Sequence, residues 1–81
     1  MKDLVVIGGG GHAKVVIATA RAVGFEVTGI LDEDETKYGK FVLDVPIIGG
    51  LDLLRSGMYE RAVIAIGDNR ERQRIAHYYK G

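Results

Sequence analysis

Leu4-Val5-Val6-Ile7-Gly8-Gly9-Gly10-Gly11-His12-Ala13-Lys14-Val15-Val16-Ile17-Ala18-Thr19-Ala20-Arg21-Ala22-Val23-Gly24 is the stretch on which the fold turns. Its first four residues form a short apolar run, rich in β-branched side chains, as a parallel strand buried on both faces requires. From Ala13 to Val23 the chain supplies helix formers and then stops at a glycine. Strand, glycine turn and helix in that order aim backbone N–H groups and the positive end of a helix dipole at one point. That arrangement favours an anion, a phosphate above all.

Outward from this unit the hydrophobic pattern changes type several times. Phe25-Glu26-Val27-Thr28-Gly29-Ile30-Leu31 reads as a second strand ending at Asp32, and Glu33 to Lys40 is a charged surface loop. Val45-Pro46-Ile47-Ile48 is a short apolar piece carrying the only proline, which predicts an edge strand. Leu51 to Gly57 reads as a short helix stopped by glycine, and Glu60 to Ile66 as the last buried strand. Arg70 to Lys80 has helical character. Strands alternating with helices predict an α/β domain with a parallel sheet of three to four strands and right-handed crossovers. The predicted order is edge, second, first, last. Such an order reverses direction beside the first strand, and ligands sit in the crevice there, at the carboxyl ends of the strands.

Composition narrows the function classes. The 81 residues make one small domain, with 47% hydrophobic content for its core. Eleven Lys and Arg balance eleven Asp and Glu, so no basic field exists to gather nucleic acid or an anionic membrane. The absence of cysteine removes disulfides and thiolate chemistry. The apolar run after Met1-Lys2-Asp3 is too short for a signal-peptide core or a membrane span, which makes a cytoplasmic location the expectation.

Three segments converge on the predicted crevice. Gly8, Gly10 and Ala13 fit G-x-G-x-x-A: the first glycine makes the tight turn, the second lets a phosphate approach the backbone, and the small third residue lets helix pack on strand. A glycine-rich turn that merely connects two elements is the plainer reading of the same residues. Asp32 ends the second strand, where an acid accepts hydrogen bonds from a ribose diol and repels a 2′-phosphate; it can equally be a solvated acid opening the charged loop. Ile66-Gly67-Asp68-Asn69 exposes backbone amides at a strand end. Asn69 can read a base edge there, or Asp68 and Asn69 can cap the following helix. His12 stands at the helix start with no partner acid or nucleophile in view, so a backbone contact to phosphate is the expected use, with its ring as the alternative donor. His77, beside Tyr78 and Tyr79, reads as a surface or interface residue.

Four blocks taken in order carry a family resemblance. Leu4 to Val16, Gly29-Ile30-Leu31-Asp32, Val45-Pro46-Ile47-Ile48-Gly49-Gly50 and Ala65-Ile66-Gly67-Asp68-Asn69 together resemble the sugar acyltransferases of the sialic-acid O-acetyltransferase and pilin-glycan or bacillosamine N-acetyltransferase type. The resemblance covers essentially the whole chain. It implies that residues 1–81 are an N-terminal, three-layer Rossmann-like domain that binds a nucleotide-sugar, typically a UDP-amino-sugar. It also implies a following left-handed β-helix of hexapeptide repeats, which forms trimers and carries acetyl-CoA binding and the catalytic histidine. None of those repeats lies within residues 1–81, so this chain is expected to contribute no catalytic residue and to hold no cofactor of its own. It is expected to be silent in catalysis by itself, and monomeric. Carried over by position, Gly11 and His12 offer backbone contacts to the diphosphate, Asp32 and Glu33 hold the uridine, and Ile66, Gly67 and Asn69 border the base. Glu33 stands where the family often has a second aspartate.

Two other classes fit the residues. One is an NAD-binding module, supported by the glycine pattern and Asp32 but short of the second mononucleotide-binding half. The other is a ligand-free docking domain in which the glycines serve packing alone.

Overall fold

In the computed structural model, which describes residues 2–56, 59, 61–70 and 72–74, a central sheet carries a helix on one face and a short 3₁₀ turn on the other. Strand β1 (Lys2–Ile7) leads to helix α1 (Ala13–Ala22) and strand β2 (Phe25–Leu31). Strands β3 (Phe41–Val42) and β4 (Val45–Gly49) form a hairpin, and β5 (Ala62–Ile64) closes the order. Across the sheet the strands run β3-β4-β2-β1-β5. The four parallel members keep the predicted order, with β2 and β5 flanking β1 and β4 beyond β2.

Burial on both faces explains the unbroken apolar run in β1. Leu4 and Val6 face α1 with Ala13, Ile17, Ala20, Val27, Ile30, Val45 and Ile47. Val5 and Ile7 face the other way, into a smaller cluster with Leu31 and Leu51. The 3₁₀ turn Leu51–Ser56 covers that second face through Leu51, with Leu53 and Leu54 packed against it. On α1 the buried positions Ala13, Ile17 and Ala20 recur at spacings of four and three, one stripe of a 3.6-residue helix. The helix ends as its sequence predicts. Gly24 takes a left-handed φ of 97° and donates to the Arg21 carbonyl at 3.1 Å, while Arg21 places a cation against the negative helix end.

The edge departs from expectation. The strand carrying Pro46 is interior, and β3 takes the outer position by antiparallel pairing of Phe41 with Pro46 and Val42 with Val45. Pro46 is tolerated because the parallel ladder with β2 begins one residue later, where Ile47 faces Ile30. The connection between β3 and β4 is a two-residue turn with positive φ at both Leu43 (47°) and Asp44 (67°). Such a turn matches the twist of the strands but is usually built from Asn and Gly, so the sequence carries no signal for it. The predicted helix at residues 51–57 is a 3₁₀ turn over Leu51–Ser56, and the last strand is shorter than predicted. Residues 69–70 and 72–74 are helical, and His77, Tyr78 and Tyr79 lie outside the described residues.

Candidate functional site

The sheet's direction reverses beside β1, because β2 and β4 extend to one side and β5 to the other. At the carboxyl ends of these strands lies a cavity of about 240 Å³. The glycine turn, Asp32 and Glu33 after β2, and Ala65 to Gly67 after β5 form its walls. Of the residues singled out from sequence, Gly8, Gly10, Gly11, His12, Asp32, Glu33, Ile66 and Gly67 line it.

The four glycines divide by role. Gly8 is buried at φ 105° and donates to the Leu31 carbonyl at 2.7 Å, which turns the chain out of the sheet. A Cβ there would stand 2.8 Å from Ile66 Cγ1 and 3.3 Å from the Ala65 carbonyl oxygen, so both backbone and space demand glycine. Gly9 donates its N–H to Asp32 Oδ2 at 2.7 Å. At Gly10 and Gly11 a Cβ would meet nothing within 4 Å; the space in front of them is open. The backbone N–H groups of Gly10, Gly11 and His12 donate to no other atom of the described residues. His12 occupies the position before α1 without a side-chain cap, and no acid stands in the first helical turn. Ala13 N–H, the first of α1, donates to the Gly10 carbonyl at 3.1 Å, so the open donors at the positive end of the helix are those of the three residues before it.

Asp32 is neither a purely solvated acid nor a free acceptor. Its side chain is 12% exposed, Oδ2 accepts from Gly9 N–H, and Oδ1 accepts from Asp34 N–H at 2.8 Å. Each oxygen keeps capacity for a further hydrogen bond, and the residue lines the cavity. The acid thus braces the glycine turn against the loop after β2. Glu33 is exposed and paired with Arg74 Nη2 at 2.6 Å, which ties the rim of the cavity to the helical segment at residues 72–74.

The loop from Asp32 to Lys37 is built by successive side-chain-to-backbone bonds. Asp34 Oδ1 accepts from the Thr36 hydroxyl at 2.6 Å and the Thr36 N–H at 3.0 Å, capping a 3₁₀ turn over Glu35–Lys37. These two bonds hold the Asp34 carboxyl below its ordinary value. Tyr38 follows, its phenol pushed up first by desolvation and then by the carboxylates of Glu35, Asp52, Asp32 and Asp34. The turn brings Lys37 back to the cavity wall, with Nζ 3.7 Å from Asp32 Oδ2.

One predicted site residue lies outside the lining. Asn69 is not among the residues that line the cavity, and its Oδ1 accepts from Arg72 Nη2 at 2.9 Å along the helical segment. Asp68 is the residue that caps, accepting from Arg70 N–H at 2.9 Å. Lys37 and Leu51 line the cavity without having been singled out. A cation five residues beyond Asp32, closing a loop that opens with four consecutive acids, is the one signal that marks Lys37. Leu51 carries none. Among the described residues no group of three or more His, Asp or Glu side chains could hold a metal ion, and no helix is long and apolar enough to cross a membrane.

The model of the PglD N-terminal domain family matches residues 3–79. The perosamine N-acetyltransferase of Caulobacter crescentus, solved with CoA and GDP-perosamine, is 43% identical with a TM-score of 0.83, over 99% of this chain and 38% of that one. The acetyltransferase domain of PglB from Neisseria gonorrhoeae, solved with acetyl coenzyme A, is 37% identical with a TM-score of 0.76, over 98% of this chain and 38% of that one. The chain thus spans well under half the length of either. RSP, solved with β-NADH, is 18% identical with a TM-score of 0.67 over 95% of this chain and 39% of that one, a likeness of fold alone.

Proposed function

The chain belongs to the PglD N-terminal domain family, and from that premise we propose that its cavity binds the nucleoside diphosphate of a nucleotide-activated amino sugar. The observation that carries this reading is the set of N–H groups at Gly10, Gly11 and His12 that have no partner among the described residues and open on the cavity at a helix start without a side-chain cap. Three such donors and the helix dipole suit two linked phosphates, whose charge the backbone meets without a side chain having to be desolvated. Gly8 sets the turn, and Asp32 and Glu33 stand where ribose hydroxyls are received. Ile66 and Gly67 offer an apolar wall and an open backbone to the base. Asn69 has no part in this assignment.

The family resemblance favours uridine as the nucleoside. The 43% identity to a protein solved with GDP-perosamine makes guanosine the second reading. In either case the chain holds the nucleotide-activated sugar, and acetyl transfer from acetyl-CoA falls to a part of the full-length enzyme outside these residues. The catalytic histidine of that step is not His12, whose contribution is its backbone N–H.

Calorimetric titration with UDP, GDP, the matching sugar nucleotides and NAD tests the proposal. Binding of one nucleoside diphosphate in preference to NAD is the expected result, and the preferred base separates the two readings. Preference for NAD would overturn it in favour of a dinucleotide module. Silence toward every nucleotide would favour a docking role.

A further inference from the structure

Lys37 is the one lysine or arginine among the described residues that line the cavity, where two acids, Asp32 and Glu33, stand with it. A diphosphate entering between two carboxylates is repelled unless cations offset them. Glu33 is already met by Arg74 at 2.6 Å. Asp32 has Lys37, but the contact differs in kind. Both Asp32 oxygens accept short backbone bonds, from Gly9 at 2.7 Å and Asp34 at 2.8 Å, while Lys37 Nζ stays 3.7 Å away, beyond hydrogen-bond distance. The ammonium is held near the acid by charge, and its three N–H donors have no hydrogen-bond partner among the described residues.

Its place is fixed from two sides. Lys37 ends a 3₁₀ turn capped by Asp34, and its own N–H donates to the Asp34 carbonyl at 3.1 Å. Gly9 N and Lys37 Nζ lie 2.7 and 3.7 Å from the same Oδ2 atom, so the ammonium stands no further from the glycine turn than those two lengths end to end. Gly9 directly precedes Gly10 and Gly11, whose N–H groups have no partner among the described residues. The Lys37 side chain is 35% exposed, and an ion pair of that exposure is weak enough to be exchanged for a phosphate oxygen at little cost.

We propose that Lys37 is the side-chain phosphate contact of this site, leaving Asp32 to clamp a diphosphate against the N–H groups of Gly10, Gly11 and His12. The inference rests on the nucleotide reading above and adds to it a residue and a selectivity. Through Lys37 the site distinguishes nucleoside, monophosphate and diphosphate by charge. Asp32 then acts as a positioning residue that parks the ammonium when the cavity is empty.

The test titrates the full chain with the nucleoside, monophosphate and diphosphate of uridine, and in parallel of guanosine, at two salt concentrations. Lys37→Met is expected to bind the diphosphate about tenfold more weakly, the monophosphate with a smaller loss and the nucleoside unchanged. Its diphosphate affinity should also fall less steeply with added salt, because one cation has left the site. Lys37→Arg, which keeps the charge, should recover most of the loss and shows that the loop still folds. Diphosphate binding by Lys37→Met equal to that of the unaltered protein would overturn the assignment, as would an equal loss for the nucleoside. If the unaltered protein bound neither diphosphate, the nucleotide reading itself would fall, a result distinct from either.

Discussion

At the start of α1 no side chain caps the helix, no acid stands in its first turn, and three preceding N–H groups have no partner among the described residues. At the start of the 3₁₀ turn Glu35–Lys37, a far shorter element, Asp34 takes both the hydroxyl and the N–H of Thr36, and Asp32 takes the N–H of Asp34. The two turns face each other and share Asp32, which bonds Gly9 in one and Asp34 in the other. A loop whose donors are met locally is a support. A turn whose donors are left open, beside a loop whose donors are met, offers them to an incoming anion under the proposal above.

The widest separation between the two behaviours lies within the glycine turn itself. Gly10→Val should abolish nucleoside-diphosphate binding in a titration and leave the thermal midpoint where it was, because its Cβ enters open space that a phosphate needs. Gly8→Val should instead cost roughly 3 kcal/mol of folding stability in urea, since it adds left-handed strain to a contact at 2.8 Å. If Gly10→Val unfolded the protein, or still bound diphosphate, the division between structural and functional glycines would collapse.

A smaller effect comes from making the first turn resemble the second. His12→Asp puts an acid at the positive end of α1 and should raise stability by about 0.5 kcal/mol, read as a higher urea midpoint. The same carboxylate should weaken diphosphate binding, most at low salt. Unchanged binding together with higher stability would mean that the helix start and the ligand site are separate.

The smallest effect removes the cap from the supported loop. Asp34→Ala should lower the unfolding midpoint slightly at neutral pH. The Asp34 carboxyl is held below its ordinary value in the folded chain, so its contribution is present above the unfolded value, about pH 4, and is lost as pH falls through the folded one. The gap between the two proteins should therefore close in acid. A gap that persisted to about pH 2 would assign the effect to something other than the charge on Asp34.

Much of this was legible in the linear chain because it depends on local pattern. The run Leu4–Ile7 predicts a doubly buried strand, and both of its faces are buried. The helix formers from Ala13 to Val23 predict α1, and Gly24 its end. The glycine turn, Asp32 and the strand end at Ile66–Gly67 all reach one cavity, as the order of strands requires. What was not legible depended on geometry without a residue signature. Strand β3 is held by a turn in which Leu43 and Asp44 adopt left-handed backbone angles that neither residue advertises. Asn69 and Asp68 offered the same capping chemistry, and only the placement of Arg70 and Arg72 assigned the cap to Asp68 and turned Asn69 away.

The sequence by itself determined the strand-turn-helix unit and the parallel order, because these follow from periodicity and from what glycine permits, and it raised the expectation of an anion at the turn. The tertiary structure alone decided which polar groups stay open. Asp32 could have been a solvated acid or a ribose acceptor. It became the brace between two turns because β1 and β2 pair in a register that sets Leu31 beside Ile7 and brings Gly9 within 2.7 Å of its carboxylate. Lys37 reaches the cavity for the same reason. Its loop folds back through bonds that need Asp32, Asp34 and Thr36 together, a coincidence in space that spacing along the chain does not encode.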